Sequence, residues 1–165
     1  MDRTLVVAAV AVGVLAAIVL ARVLLARRQR LPYRRTEHLL TAAERSFSGV
    51  LRQVVEDTYH IAWKVRMADL IYVPPGTKDR QRHMNRILAK HLDFVLCDPE
   101  TSAPLLAIEL DDSSHLGLDR RKRDAFVNSA LSAAGLPLLR VTVRRSYAGR
   151  ELAASIRRQM GSRNS

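Results

Sequence analysis

Three carboxylates, Asp93, Glu109 and Asp111, are the side chains whose type and spacing most suggest chemistry. They lie in HLDFVLCDPETSAPLLAIELDD, residues 91–112, where two runs of large apolar and β-branched residues flank the turn-like DPETSAP. That pattern reads as two strands joined by a short hairpin loop. Side chains alternate faces along a strand. Asp93 therefore shares a face with Val95 and Cys97, and Leu105, Ala107, Glu109 and Asp111 share one in the second strand. A hairpin folded about Glu100 to Ser102 sets Asp93 almost opposite Glu109. Three carboxylates then meet at one end of one face, although like charges opposed in a sheet are destabilising. Such a cluster is tolerated where a cation neutralises it, where one group stays protonated, or where the ends splay into solvent. Hard oxygen ligands of this kind suit Mg²⁺ or Mn²⁺. The residues equally allow a plainer reading, in which Asp111 and Asp112 form a solvated loop and Asp93 a frayed strand start.

The helix expected next, Asp119 to Ala134, bears on that choice. Phe126, Val127, Ala130, Leu131 and Ala134 define its buried stripe, and Gly135 closes it. Projected backwards at about 3.6 residues per turn, the stripe passes through Arg123, with Asp119 and Arg120 on its flanks. A cation aimed inward from the first turn suits a carboxylate or a phosphate partner. Four successive basic residues, Arg120 to Arg123, also oppose the positive end of the helix dipole unless acidic or phosphate groups stand nearby. The alternative is an ordinary solvated basic turn with a shifted register.

The elements that must position these groups follow from patterning. Thr41 to Glu56 carries Phe47, Val50, Leu51, Val54 and Val55 on one helical stripe. Tyr59 to Arg66 reads as a strand. Residues 68–90 are irregular, broken by Pro74-Pro75-Gly76, with a basic stretch from Lys78 to Lys90 that is in part helical. After the hairpin and its helix come a strand, Pro137 to Val143, and a final helix, Tyr147 to Met160. The order α-β-β-β-α-β-α predicts a layered α/β domain with a mixed sheet flanked by helices.

Ahead of this domain, Thr4 to Ala21 contains no charge, and VLLA follows Arg22. About 20 apolar residues cross a bilayer as a helix, and this segment suffices if Arg22 snorkels to the interface. Arginines 22, 27, 28, 30, 34 and 35 lie on its C-terminal side, so the positive-inside rule places the following domain in the cytoplasm of a single-pass membrane protein. A cleaved signal peptide ending at Ala21 is the competing reading, but its n-region is weak and the mature start strongly basic. The chain thus divides into an anchor and basic juxtamembrane segment (1–31), a linker (32–40), one α/β domain (41–160) and a short tail (161–165). One cysteine, Cys97, excludes an internal disulfide framework and any multi-cysteine metal site, and it reads as a buried structural thiol. The net charge of +11 points to an anionic partner, nucleic acid or the acidic inner leaflet.

Asp93 in HLDFVLCD, Glu109 and Asp111 in IELDD, His115 in SSH, the spacing from Asp119 to Arg123, and GLPLLRV follow one another in order. In this the chain resembles the restriction-endonuclease-like superfamily, on the branch of the very-short-patch repair endonucleases. More closely, TAAERSF, KVRMADL, KHLDFVLCD, IELDDSSH, RDAF and GLPLLRV resemble the bacterial domain of unknown function 2726 family, over roughly His38 to Met160. The resemblance implies a restriction-endonuclease-like mixed sheet and a nuclease mechanism acting on nucleic acid, DNA foremost. Asp93 and Glu109, with Asp111, would hold Mg²⁺ or Mn²⁺. His115 would act as base or orient water, and Arg123 would hold phosphate charge. The superfamily pattern ends Glu-x-Lys, whereas here it reads Glu109-Leu110-Asp111; Lys64, Lys90 or Lys122 would have to supply the cation from another element. Without such a replacement, the expectation is a catalytically inactive nuclease fold serving as an interaction module at the membrane.

The remaining candidates have plainer readings. Thr41-Ala42-Ala43-Glu44 is a capping box, which accounts for Glu44, although such relatives often place an acidic residue in the first helix. Lys64 reads as a snorkelling edge residue, Lys90 and His91 as surface, and Trp63 as core. Arg140 within the last strand demands a partner, an ion pair first and a site contact second. No Gly-rich phosphate loop and no Ser-His-Asp pattern occurs, and no small-molecule cofactor is expected.

Overall fold

The computed structural model describes residues 2–28, 31–111 and 118–161, and the chain divides into two units, 1–39 and 40–165. In the first unit, α1 (Arg3–Arg28) is apolar all round between Thr4 and Ala21, with its large hydrophobic side chains exposed. The stretch Arg3–Leu25 is 23 residues long with mean hydropathy 2.8, long and apolar enough to cross a membrane.

The second unit is a four-stranded sheet with helices on both faces. Its elements are α2 (Ala42–Val55), β1 (His60–Arg66), α3 (Met67–Leu70), α4 (Arg80–Leu88), β2 (His91–Cys97), β3 (Pro104–Asp111), α5 (Leu118–Ala133), β4 (Leu138–Thr142) and α6 (Gly149–Gly161). The sheet order is β1-β2-β3-β4; the first three strands are antiparallel, and β4 runs parallel to β3. A parallel partner requires a crossover, and α5 supplies it. The α/β class and the mixed sheet agree with the sequence reading. Between β1 and β2, α4 falls in the basic stretch read as partly helical, while α3 is a further short helix in the stretch read as irregular. The Pro74-Pro75-Gly76 break separates them, and Gly76 at φ +81° takes the left-handed turn.

Two cores sandwich the sheet. On one face Phe47, Leu51 and Val55 of α2 pack with Leu152 and Ile156 of α6 against Phe94, Leu96, Leu106 and Ile108. Their spacing of four residues along α2 is what turns that stripe to the sheet. Phe47 meets the rings of Phe94 and Tyr147 edge-on, at 5.2 and 5.1 Å. On the other face Met67, Ile87, Val127 and Leu131 cover Leu92, Val95 and Ala107. The end of α5 is fixed by a Schellman closure. Leu136 N–H donates to the Leu131 carbonyl and Gly135 N–H to that of Ser132, both at 3.0 Å, with Gly135 at φ +71°.

Trp63 corrects the sequence reading. It is 42% exposed on the edge strand β1 and belongs to neither core.

Candidate functional site

The antiparallel register brings Phe94 opposite Ile108, which sets Asp93 beside Glu109 as the hairpin pattern requires. There the β2–β3 ladder ends. Instead of a backbone carbonyl of β2, the Asp93 Oδ2 accepts the Leu110 N–H at 3.0 Å. Side-chain alternation breaks at the same place, since Leu92 and Val95 fall in one core with Asp93 between them.

Lys64 sits opposite Asp93 on β1, between the pairs Trp63↔Phe94 and Val65↔Leu92. Its φ is +53°, an uncommon conformation for a non-glycine residue inside a strand. Lys64 Nζ donates to Glu44 Oε1 at 2.6 Å and to Asp93 Oδ1 at 2.9 Å. The other oxygen of Glu44 accepts the Thr41 N–H at 2.9 Å, so the capping box forms as read. One carboxylate thus closes the helix and pairs with the lysine. Lys64 is not a snorkelling edge residue: two acceptors draw its ammonium inward.

The second half of the site hangs on Arg140, whose parallel register on β4 pairs it with Glu109. Its Nη1 lies 3.0 Å from Glu109 Oε2 and 2.8 Å from Asp111 Oδ1. Nε donates to Asn128 Oδ1 at 3.2 Å. Nη2 is buried and, among the described residues, has no hydrogen-bond partner; it lies 3.7 Å from Asp124 Oδ1. The strong structural pairing read for Arg140 is therefore also its place in the site.

Electrostatics differ between the halves. Burial works to raise the pKa of Glu44, but hydrogen bonds from Lys64 and the Thr41 backbone prevail and hold it below the ordinary carboxylate value. Burial likewise works to depress Lys64, and its bonds to Glu44 and Asp93 prevail to raise it. Glu109 goes the other way: burial pushes it up, and the charges of Arg140 and Arg123 only partly offset this.

Asp93, Glu109, Asp111 and Lys64 are thus brought to one end of the sheet. Arg123 is not aimed inward; its side chain is 54% exposed, with Asp124 at 4.0 Å. The first turns of α5 precede the buried part of its stripe, which begins in earnest at Val127, and Arg140 supplies the inward cation instead. Lys122 is exposed, and the carbonyl of Lys90 accepts the Met67 N–H. His115 and Asp112 lie outside the described residues. Among the described residues no group of three or more His, Cys, Asp or Glu is arranged to hold a metal ion. The reason is visible in the pairing: Lys64 and Arg140 each occupy two carboxylates. What sequence reasoning undervalued was the partnership of Glu44 with Lys64, which brings a residue of the first helix of this unit to one of the first strand.

A three-layer α/β domain whose mixed sheet opens onto four carboxylates and two interleaved cations is the class that fold and site define. Residues 36–160 match the family described as Protein of unknown function (DUF2726), and the chain belongs to that family. No curated protein and no solved structure matches it.

Proposed function

We propose that this chain is a membrane-anchored domain of restriction-endonuclease-like type that acts on nucleic acid with the help of a divalent metal. The observation that carries the reading is Lys64. The Glu-x-Lys lysine is replaced by Asp111, yet Lys64 reaches the same end of the sheet from β1 and donates to Asp93 at 2.9 Å. The donor set suits a hard divalent cation in kind, since Glu44, Asp93, Glu109 and Asp111 are all carboxylates, but among the described residues they are arranged around Lys64 and Arg140 and not around a metal position. Asp93 and Glu109, with Asp111, are the residues that would hold Mg²⁺ or Mn²⁺, which when bound would polarise a phosphate and lower the pKa of a water. Lys64 orients Asp93 and offers an ammonium at its edge. Arg140 neutralises Glu109 and Asp111, and exposed Arg123 can meet phosphate charge. His115 keeps the role of base only as an expectation. The α1 helix would tether the domain, with the positive-inside rule favouring the cytoplasmic side.

The pairing itself favours a second reading. Each of these carboxylates already has a protein cation, as a catalytically inactive nuclease-fold interaction module would have. The full chain in detergent, incubated with single- and double-stranded DNA and RNA and Mg²⁺, Mn²⁺ or EDTA, decides between them. Metal-dependent cutting lost in Glu109→Ala and in Lys64→Ala is the expected result. Absence of cutting by the wild type, together with Mn²⁺ affinity unchanged by Asp93→Ala, would leave the interaction module.

A further inference from the structure

We infer that α4 and the start of α5 form a track for single-stranded nucleic acid leading to the carboxylate end of the sheet. Between residues 78 and 90 the chain carries five Lys or Arg and a single acid, Asp79. Lys78, Arg80, Arg82, His83 and Arg86 are all exposed. Arg86 lies over the Phe126 ring of α5, 3.8 Å from its centroid, which ties the two helices together and holds a guanidinium flat. Arg82 stands one turn before Arg86 on α4, and Lys122 and Arg123 stand one turn before Phe126 on α5. The basic residues therefore continue from α4 across Phe126 to Arg123, whose charge acts on Glu109. Among the described residues, Arg82, Arg86 and Lys122 make no ion pair with an acidic group. Cations left in this state suit a polyanion.

The same two helices border a groove of about 590 Å³ whose lining includes Tyr72, His83 and Phe126. Tyr72 is 79% exposed. Exposed basic residues of α4 and α5 bordering a largely apolar groove with one exposed aromatic ring, Tyr72, are a combination that tracks a phosphodiester backbone and stacks unpaired bases. A duplex hides its base faces and would leave Tyr72 without a use, and a flat lipid headgroup layer would not need a concave, aromatic-edged path. DNA and RNA share the required chemistry.

The inference rests on the reading of the domain as one that acts on nucleic acid, and its test is made separable from cleavage. The full chain in detergent micelles is titrated in EDTA against fluorescein-labelled single-stranded DNA, single-stranded RNA and duplex DNA. Salt is varied between about 50 and 200 mM. The variants are Arg82→Gln/Arg86→Gln/Lys122→Gln, Tyr72→Ala, and an equal charge change on the other face of the sheet, Arg150→Gln/Arg157→Gln/Arg158→Gln on α6. The wild type should prefer either single strand to duplex. The track triple should bind at least about tenfold more weakly, with a log–log salt slope shallower by about 2. Tyr72→Ala should weaken binding about fivefold or more with the slope unchanged. Arg82→Gln/Lys122→Gln, which spares the Arg86–Phe126 contact, should show an intermediate loss and guards against misfolding of the triple. An equal loss in the α6 triple, a preference for duplex, or no binding to any polynucleotide at about 50 mM salt would overturn the inference. If Glu109→Ala abolishes cutting while the track triple binds like wild type, the track falls and the nuclease reading stands. If the wild type binds through the track but cuts nothing, the track stands and the catalytic reading falls.

Discussion

Lys64 and Arg140 each hold two carboxylates, but they do so from opposite sides of the sheet and with opposite effects on the acids. Lys64 reaches from an edge strand to a helix cap and to a strand end, and Glu44 is held ionised by the contact. Arg140 pairs along a parallel register with Glu109, whose side chain is only 6% exposed and whose pKa is raised by burial. One half is a brace in which every oxygen has been given a donor: Asp93 takes Lys64 and Leu110, and Glu44 takes Lys64 and Thr41. The other half keeps its charge under strain, with a buried Arg140 nitrogen that has no hydrogen bond among the described residues. Ion pairs with similar distances can therefore serve different ends, and burial together with unused hydrogen-bonding capacity tells them apart.

The largest effect should come from Asp93→Ala. It strips both Lys64 and the Leu110 amide of an acceptor, and stability should fall by about 3 kcal/mol in urea denaturation. A loss under about 1 kcal/mol would mean that the brace is decorative. Arg140→Ala comes next. It leaves buried Glu109 without its closest counterion, so stability should fall by about 2 kcal/mol and by more at alkaline than at acidic pH. Equal losses at both pH values would show that Glu109 does not feel Arg140. Thr41→Ala removes the hydroxyl half of the capping box and should cost about 1 kcal/mol. If the cap and the ion pair act together, Thr41→Ala and Lys64→Ala should be non-additive in a double-mutant cycle, and simple additivity would separate them.

The smallest and most discriminating effect is in the pH slopes. Glu44 has its folded pKa depressed, so its contribution is present above its unfolded value near 4.5 and is lost as pH falls through the lower folded value. Glu109 has its folded pKa raised, so its contribution is present below about 4.5 and is lost as pH rises through the higher folded value. Glu44→Gln should flatten the acid limb of the stability curve, and Glu109→Gln the decline on the neutral side. Chemical denaturation across pH 3 to 8 would read both. Slopes of the same sign would dissolve the distinction between the halves.

Much of this was legible in the chain. The apolar stripe of α2, the hairpin, the Gly135 closure and the crossover order come from local periodicity and turn chemistry, which act over a few residues. The approach of Asp93 to Glu109 followed from hairpin length alone. Lys64 and Arg140 were harder, because each meets its carboxylate partners across 20 to 31 positions of sequence, by sheet pairing or, for Lys64 and Glu44, from strand to helix. Arg123 was misplaced for a related reason. Helical periodicity fixes a direction around the axis, but not how far along the helix the sheet still lies beneath it. Trp63 was misplaced because hydrophobicity does not reveal that its strand is an edge.

The positive φ of Lys64 has an engineering consequence. A redesign that idealised the backbone would put glycine there and remove a conformation that costs an L-residue about 1 kcal/mol. The same edit would delete the ammonium that joins α2 to β2. Optimising this strand for comfort and preserving its chemistry are therefore competing objectives at a single position, and a stabilised variant for structural work should leave residue 64 alone.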